Sequence, residues 1–240
     1  MNKCFYASVC LLLLLLSSCD DFKYTGVYTD ETTEDYELFD YYVDKYGNEG
    51  IVVDVDKSSS GKAILVISAD QSYESWGLMG FSVCNADSLN TIEVNEPSFG
   101  LAMLQTMKSI GIGSFPAQAW CDKKNNNEKY SHAGSWRLPT YYEWRSLFGL
   151  YGYEGLLVKY INSALLSIGG QPLLEDEFYW TCVEDLDNYA KIKDEISSYD
   201  KDNRAIIVSP MFTTTAYKDR WMKKNQYYVR AVKYIYYSNE

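Results

Sequence analysis

Residues 134–144, with the sequence GSWRLPTYYEW, constrain the fold more than any other part of the chain. Thr140 and Glu143 have the T-x-x-E spacing of a capping box, in which each side chain accepts a hydrogen bond from the other residue's main-chain amide where a helix begins. The residues behind the cap form one apolar helix face at i, i+3, i+4 and i+7: Trp144, Leu147, Phe148 and Tyr151. Glu143 is therefore predicted to start a helix rather than to act as a catalytic acid.

The residues before the cap are also predicted to be structural. Arg137 lies just outside the helix start, where a buried guanidinium needs a carboxylate or carbonyl groups as partners. Trp136 and Leu138 alternate with it, as in a strand that leads into the helix. Pro139 is placed to pack on Trp144 as a hydrophobic staple. The predicted structural motif comprises Trp136, Arg137, Leu138, Pro139, Thr140, Glu143 and Trp144.

Residues 1–18 are predicted to form a secretory signal. A short basic start precedes an apolar run at residues 9–16 that includes six consecutive leucines. A membrane span needs roughly 20 apolar residues, so this run is too short to cross a bilayer and has the length of a signal core. The run ends in LSSC, which resembles the bacterial lipobox. The resemblance implies a lipoprotein signal peptide, with Cys19 as the acylated, palmitate-bearing first residue of the mature chain. The alternative is an ordinary cleaved signal in which Cys19 has no role.

Residues 19–48 are predicted to be an acidic tether between the lipid anchor and the folded domain. Residues 20–49 carry ten carboxylates against two lysines. Within them, the spacing of apolar residues at 36–47 favours a short helix or a frayed segment. Asp20 and Asp21, directly after the acylated cysteine, resemble the surface-export signal of some bacteria with outer membranes. The N-terminal segment therefore predicts an outer-membrane lipoprotein that faces outward.

The charge and the cysteines exclude several classes of partner and site. A net charge of −11 repels phosphate backbones and anionic lipid surfaces, so we expect no nucleic acid partner. Besides Cys19, the chain after the signal has three cysteines, which allow at most one disulfide: Cys84, Cys121 and Cys182. Their spacing selects no pair and includes no Cys-x-x-Cys metal motif.

Hydrophobic periodicity predicts both strands and helices after residue 49. Two β-branched runs at 50–56 and 62–68 flank DKSSSG, which is typical of a turn, and so predict a hairpin. Further strands are predicted at 178–184, 189–195, 204–210 and 226–237. Helices are predicted at 98–110, 116–124 and 154–168, the last of which ends at two glycines. Long loops are predicted at 69–97 and 209–226.

The order of these elements resembles the C-type-lectin-like fold. Six short pieces carry a closer resemblance: residues 50–52, 117–121, 136–140, 143–144, 179–181 and 228–232. In these pieces the chain resembles the C-terminal domain family of the collagen-like adhesin of Legionella and the related Fibrobacter major paralogous domain. The resemblance implies an α+β domain over residues 49–240, with antiparallel sheets and two or three helices. It also implies that the first and last strands, 50–56 and 227–236, pair.

Two protein classes, one of enzymes and one of calcium lectins, share parts of this pattern. This chain lacks the reactive or calcium-binding residues that each class needs. Formylglycine-generating enzymes carry a similar Arg-Leu-Pro-Thr…Glu-Trp phrase, but they need a late pair of copper-binding cysteines, and no cysteine follows Cys182. Sugar-binding lectins hold calcium with Gln-Pro-Asp or Glu-Pro-Asn, whereas Gln171-Pro172 precedes Leu173. The one histidine, His132, lies in a polar loop without a nucleophile elbow, which favours an exposed loop residue over a catalytic triad. We expect no enzymatic activity, no cofactor and no metal.

Two groups of residues are candidates for ligand binding. Tyr217 and Trp221 lie in the predicted 209–226 loop, where aromatic side chains next to cations suit a binding surface. The alternative is that these tyrosines simply line strands, where they have high propensity. Asp185 and Asp187 lie in an oxygen-rich run that has ligands suited to calcium, although a solvated turn is favoured.

Together, these features predict a membrane-anchored lipoprotein whose domain binds a glycan or a protein, as an adhesin does, without catalysis. Two alternatives remain open at this point. One is a degenerate protein of the formylglycine-generating type, and the other is a structural component of an envelope assembly.

Overall fold

Two five-stranded sheets and four α-helices make up the part of the chain that the computed structural model describes. The described residues are 31–32, 35–56, 63–80, 83, 97–129, 131–132, 134–148, 156–184, 204–210 and 217–237. The architecture is α+β, as the sequence predicts. The predicted signal peptide, Cys19 and the predicted strand 189–195 lie outside the described residues. Within the described ranges, no helix is both long enough and apolar enough to cross a membrane.

The first sheet has a mixed topology. Its strands in spatial order are β1 (Glu31–Thr32), β10 (Val232–Tyr237), β4 (Ala63–Ser68), β3 (Glu49–Asp56) and β2 (Tyr41–Val43). β1 is parallel to β10, and the other neighbours are antiparallel. All six residues of β4 are buried, which is typical of a central strand that is covered on both faces. The hairpin of β3 and β4 confirms the prediction.

The second sheet is also mixed. Its strands in spatial order are β5 (Ser72–Ser75), β9 (Gln226–Val229), β6 (Tyr179–Glu184), β7 (Arg204–Ser209) and β8 (Tyr217–Met222). β6 is parallel to β9, and the other neighbours are antiparallel. β6 is buried along its whole length, as expected of a central strand rich in aromatic and β-branched residues. The predicted positions of β6 and β7 are confirmed.

The helices follow the predicted positions closely. They are α1 (Pro97–Ile110), α2 (Pro116–Lys123), α3 (Tyr141–Phe148) and α4 (Leu156–Ser167). α3 begins directly after Thr140, as the capping box predicts. α4 is followed by Gly169 in the left-handed region, at φ 76°. The Gly170 amide then donates to the Leu165 carbonyl at 2.8 Å, which satisfies an orphan carbonyl of the last turn.

The apolar core lies on both faces of the first sheet. Ile64 and Val66 of β4 belong to a cluster shared with the second sheet, α1 and α2. Leu65 and Ile67 belong to a second cluster that includes Trp144 of α3 and three side chains of α4. Because successive side chains of a strand point to opposite faces, one strand contributes to both clusters.

The direct pairing of strands 50–56 and 227–236 that the resemblance implies is wrong. β4 lies between β3 and β10 and pairs with both. The predicted strand 226–237 is in fact two strands, since Arg230 and Ala231 separate β9 in the second sheet from β10 in the first.

Two segments that were predicted as loops contain edge strands. Residues 209–226 include β8, which pairs along its whole length with β7. Residues 69–97 include β5, which pairs with β9. Both strands are short and polar, so their pairing with a buried neighbour overrides their weak intrinsic preference.

The acidic segment before β3 is also partly folded into the domain. Residues 36–47, predicted as a short helix, contain β2, which pairs with β3. Tyr42 of β2 is buried in the core, and Phe39 donates its amide to the Val52 carbonyl at 2.8 Å. The folded body therefore begins inside the predicted 19–48 tether. We call residues 36–48 the N-terminal strap.

A substitution at Gly50 of β3 tests the close contact between β3 and β4. A Cβ atom at this position would lie 2.4 Å from the main-chain oxygen of Ile67 and 2.8 Å from a methyl group of Val66. We expect Gly50→Ala to lower the free energy of unfolding by roughly 1–3 kcal/mol, because the backbone of β4 must move. Urea denaturation measures the change.

Gly113→Ala is the matched control, since nothing lies within 4 Å of a Cβ atom at that position. The control should be neutral or slightly stabilising, because alanine restricts the unfolded chain. Equal stabilities for the two variants would contradict the close approach of β3 and β4.

Candidate functional site

The sequence motif around Arg137 forms a buried, bidentate ion pair inside the capping box. The Arg137 Nη2 and Nη1 atoms lie 2.6 Å and 2.8 Å from the Glu143 Oε1 and Oε2 atoms. The same carboxylate accepts the Thr140 amide at 2.8 Å, and the Glu143 amide donates to the Thr140 hydroxyl at 3.2 Å. Burial alone would lower the pKa of Arg137, but the charge and hydrogen bonds of Glu143 raise it above its ordinary value. Glu143 is thus both the predicted carboxylate partner of Arg137 and a member of the predicted helix cap.

The motif also connects the two sheets and α2. Arg137 and Val232 of β10 exchange main-chain hydrogen bonds of 3.0 Å and 2.9 Å. The Pro139 carbonyl accepts the amide of Cys182 in β6 at 2.8 Å. The Leu138 amide donates to the Gln118 side chain of α2 at 3.2 Å. These bonds use the polar groups of the motif inside the protein, so the motif has a structural role.

The N-terminal strap is bonded to the same motif through a buried aspartate. The Trp136 indole donates to Asp44 Oδ2 at 2.7 Å, and Lys233 of β10 lies 3.8 Å from the same oxygen. Burial by itself would raise the pKa of Asp44, but the hydrogen bonds from Trp136 and Asn48 and the charge of Lys233 lower it overall. Asp44 is therefore held in its charged form by the strap's contacts with the body.

A second polar cluster holds the strap against the loop after α2. Glu128 accepts a hydrogen bond from Tyr46, and the Lys45 ammonium lies 3.3 Å away. His132 Nε2 lies 2.7 Å from Glu128 Oε2, so the prediction of an exposed loop histidine is wrong, and this residue is half-buried. Burial opposes ionisation of Glu128, but hydrogen bonds from Tyr46, His132 and Lys45 lower its pKa to about 2.

Arg230 lies at the break between β9 and β10. The side chain is fully buried, and its Nη1 atom donates to the main-chain oxygens of Ser68 and Ala69 at 2.9 Å and 3.0 Å. Its Nη2 atom donates to the carbonyls of Gln171 and Pro172 at 2.8 Å and 3.2 Å. Burial lowers the pKa of Arg230 to about 10. The guanidinium ties the end of β4 to the segment after α4.

A buried ion pair between Lys223 and Glu184 lies at one end of the second sheet. The Lys223 ammonium also lies 4.8 Å from the centre of the Trp76 ring, which adds a cation–π contact. Glu184 accepts the Val83 amide at 2.9 Å. The sequence predictions did not include the buried cations Arg230, Lys223 and Lys233. Arg230 and Lys233 lie between apolar neighbours in a strand pattern, which is a usable signal, whereas Lys223 is followed by Lys224 and offers none.

Of the four predicted ligand-binding residues, the structure describes the backbone positions of Tyr217 and Trp221. Tyr217 and Trp221 lie on β8 rather than in a loop, opposite Ser209 and Ala205 of β7. Asp185 and Asp187 lie outside the described residues, as does Cys19.

Of the cysteines after Cys19, the structure describes Cys121 and Cys182 and places both in the apolar core. Cys121 and Cys182 are both buried thiols without a disulfide. Burial raises the pKa of Cys121 well above its usual range, which disfavours the nucleophilic thiolate. Among the residues that the structure describes, no group of three or more His, Cys, Asp or Glu side chains is arranged to hold a metal ion.

Comparison with known proteins shows a distant structural likeness. No family model matches the chain, and no curated protein matches it. The fold is similar to that of a fimbrial protein from Bacteroides ovatus, with 14% sequence identity and a TM-score of 0.48. The match covers 70% of this chain but only 35% of that protein. A likeness of this degree identifies neither a family nor a function.

The Arg137–Glu143 pair can be tested with a change that keeps the shape of the side chain. We expect Glu143→Gln to lower the free energy of unfolding by about 3–5 kcal/mol, because Arg137 would remain buried without its counter-charge. Adding Arg137→Met to Glu143→Gln should recover part of the loss, because it removes the unpaired charge. Urea denaturation of the wild type and the two variants measures both effects.

Asp70→Asn is the matched control for this acid-to-amide change. Asp70 pairs with Lys124 at 2.6 Å but is largely exposed, so we expect a loss below about 1 kcal/mol. If Glu143→Gln cost no more than Asp70→Asn, the buried pair would not have the structural role described above.

The lowered pKa of Asp44 predicts acid sensitivity. Its ordinary value is 3.8, and the folded value lies below it, so the stabilisation is complete above pH 3.8 and is lost as the pH falls through the folded value. We expect Asp44→Asn to reduce the loss of unfolding free energy between about pH 4 and pH 2. Denaturation curves across this range measure the slope. Glu37→Gln on the same strap is the control, and equal slopes for Asp44→Asn and the wild type would refute the assignment.

Proposed function

We propose that this protein is an envelope lipoprotein of the outer membrane, facing outward, whose C-type-lectin-like domain binds a glycan or a protein without catalysis. The anchor rests on the lipobox-like sequence that ends at Cys19. The fold assignment rests on the sequence resemblance and agrees with an α+β domain of two sheets and four helices in the described residues. The surface location rests on the acidic residues directly after the lipobox.

One observation supports a binding role over an enzymatic one. The phrase that the chain shares with formylglycine-generating enzymes is buried, and Arg137, Thr140 and Glu143 bond to one another. Their polar groups are therefore already engaged in holding the fold. A rigid body of this kind is suited to presenting binding residues on its surface.

The alternatives make different demands on the molecule. An enzyme of the formylglycine-generating type would need a reactive thiol pair, whereas Cys182 is buried in the apolar core. A structural component of an envelope assembly would need a protein partner but no glycan ligand. Chemical crosslinking in intact cells, followed by purification from membranes, separates this last alternative from a ligand-binding role.

The lipid anchor can be tested in a bacterium with an outer membrane. We expect the wild-type chain to incorporate an alkyne analogue of palmitate and to partition into detergent, and Cys19→Ser to do neither, because the acylated thiol is lost. Cys4→Ser is the matched control, since it changes another cysteine of the N-terminal segment and should leave labelling intact. Labelling that persists in Cys19→Ser would refute the anchor.

Exposure and ligand binding need separate measurements. Protease treatment of intact cells should remove the domain if it faces outward, whereas a periplasmic marker protein should survive. Purified full-length protein should then bind at least one glycan or extracellular-matrix protein in an array screen. A folded protein that binds nothing would refute the binding role, and a domain that resists the protease would refute the outward orientation.

A further inference from the structure

An exposed pair of tyrosines lies at the β5 edge of the second sheet. Tyr73 of β5 is opposite Tyr228 of β9, and the ring centroids are 5.1 Å apart at an angle of 64°. Tyr73 is 50% exposed, and Tyr228 is half-buried. Core packing does not account for a tyrosine that leaves half of its surface in water.

The pair is supported from below by a continuous series of aromatic rings. The Tyr228 ring lies 5.7 Å from the ring of buried Tyr179, which lies 5.0 Å from the ring of Trp144 in α3. The Trp144 indole donates to the Trp180 carbonyl at 3.1 Å, which fixes the last ring of the series. Tyr228 is therefore held in place before any ligand arrives, so binding costs little side-chain entropy.

Two neutral amide side chains connect to the same series of rings. Gln71 lies directly before β5, and its side chain bonds to Tyr179, whose ring contacts the ring of Tyr228. The Gln71 Oε1 atom accepts hydrogen bonds from Arg230 at 2.8 Å and from the Tyr179 hydroxyl at 3.0 Å. The Gln171 Oε1 atom accepts the Gln71 main-chain amide at 2.8 Å. Both amide side chains are thus oriented by the fold, and neither carries a charge.

We propose that Tyr73, Tyr228, Gln71 and Gln171 form a binding platform for a neutral glycan. Aromatic faces pack against the apolar C–H surface of a sugar ring, and amides can both donate to and accept from its hydroxyl groups. A neutral ligand fits better than an anionic one, because the amides supply no positive charge and the chain carries a net charge of −11. This inference rests on the proposed binding function and names a site and a ligand class for it.

A glycan array tests the platform with the full-length protein in detergent. The array carries neutral, sialylated and sulfated glycans as well as bacterial polysaccharides, so it also distinguishes host from bacterial sources. We expect the wild type to bind neutral glycans. We expect Tyr73→Ala to weaken that binding by about tenfold or more, and Tyr73→Trp to retain it, because indole also stacks on sugars.

Tyr41→Ala is the matched control. Tyr41 is exposed to a similar extent on β2, an edge strand of the first sheet, so its loss should leave glycan binding unchanged. Thermal unfolding of each variant verifies the fold, and Tyr73→Ser serves as a second truncation.

The outcomes separate the platform from the proposed function. Neutral-glycan binding that is unchanged in folded Tyr73→Ala and Tyr73→Ser would overturn the platform and leave the binding role intact. Binding only to anionic glycans, or only to a protein, would also overturn the platform alone. Binding to neither glycans nor proteins would overturn both.

Discussion

The buried ion pair between Arg137 and Glu143 is the interaction on which the rest of this structure depends. Two charges that leave water incur a penalty of several kcal/mol each, and they are tolerated only when the geometry is good and the remaining hydrogen-bonding groups are satisfied. Both conditions hold here, since the carboxylate binds both guanidinium nitrogens and also accepts the Thr140 amide. The pair therefore fixes the start of α3 relative to the strand-like segment before it.

That segment lies where the two sheets meet, so its position affects both. Arg137 bonds to β10 of the first sheet, and Pro139 bonds to β6 of the second. The N-terminal strap joins the same point, because Trp136 donates to Asp44. The strap is therefore held to the core by the Trp136–Asp44 hydrogen bond and by buried Tyr42. A membrane anchor ahead of the strap would be connected to the core through these contacts as well as through the covalent chain.

Local features of the fold could be predicted from the sequence, whereas features that depend on distant partners could not. The cap of Thr140 and Glu143 involves residues three apart, so a sequence pattern is sufficient. The helix predicted at 36–47 fails because β3 offers the segment a strand partner, and that partner outweighs a weak helical spacing. The break at Arg230 cannot be predicted from the sequence, because apolar and polar residues keep alternating while the chain passes from the second sheet to the first.

The same distinction applies to the candidate sites. Buried cations such as Lys223 and Lys233 look like ordinary solvent-exposed residues in the sequence, since their partners Glu184 and Asp44 are far away along the chain. The tyrosine pair on β5 and β9 was missed for a related reason. Tyr73 and Tyr228 are about 150 residues apart along the chain and become neighbours only when β5 pairs with β9. The predicted binding tyrosine and tryptophan, in contrast, were close together in one segment.

Native-state hydrogen exchange tests the central claim most directly. If the motif is the structural centre, the amides of Thr140, Glu143 and Cys182 exchange only when the whole domain unfolds. Their protection free energies then equal the global unfolding free energy and match those of buried β4. Exchange of these amides by local opening, at a clearly lower free energy than β4, would contradict the account and identify the motif as a mobile region instead.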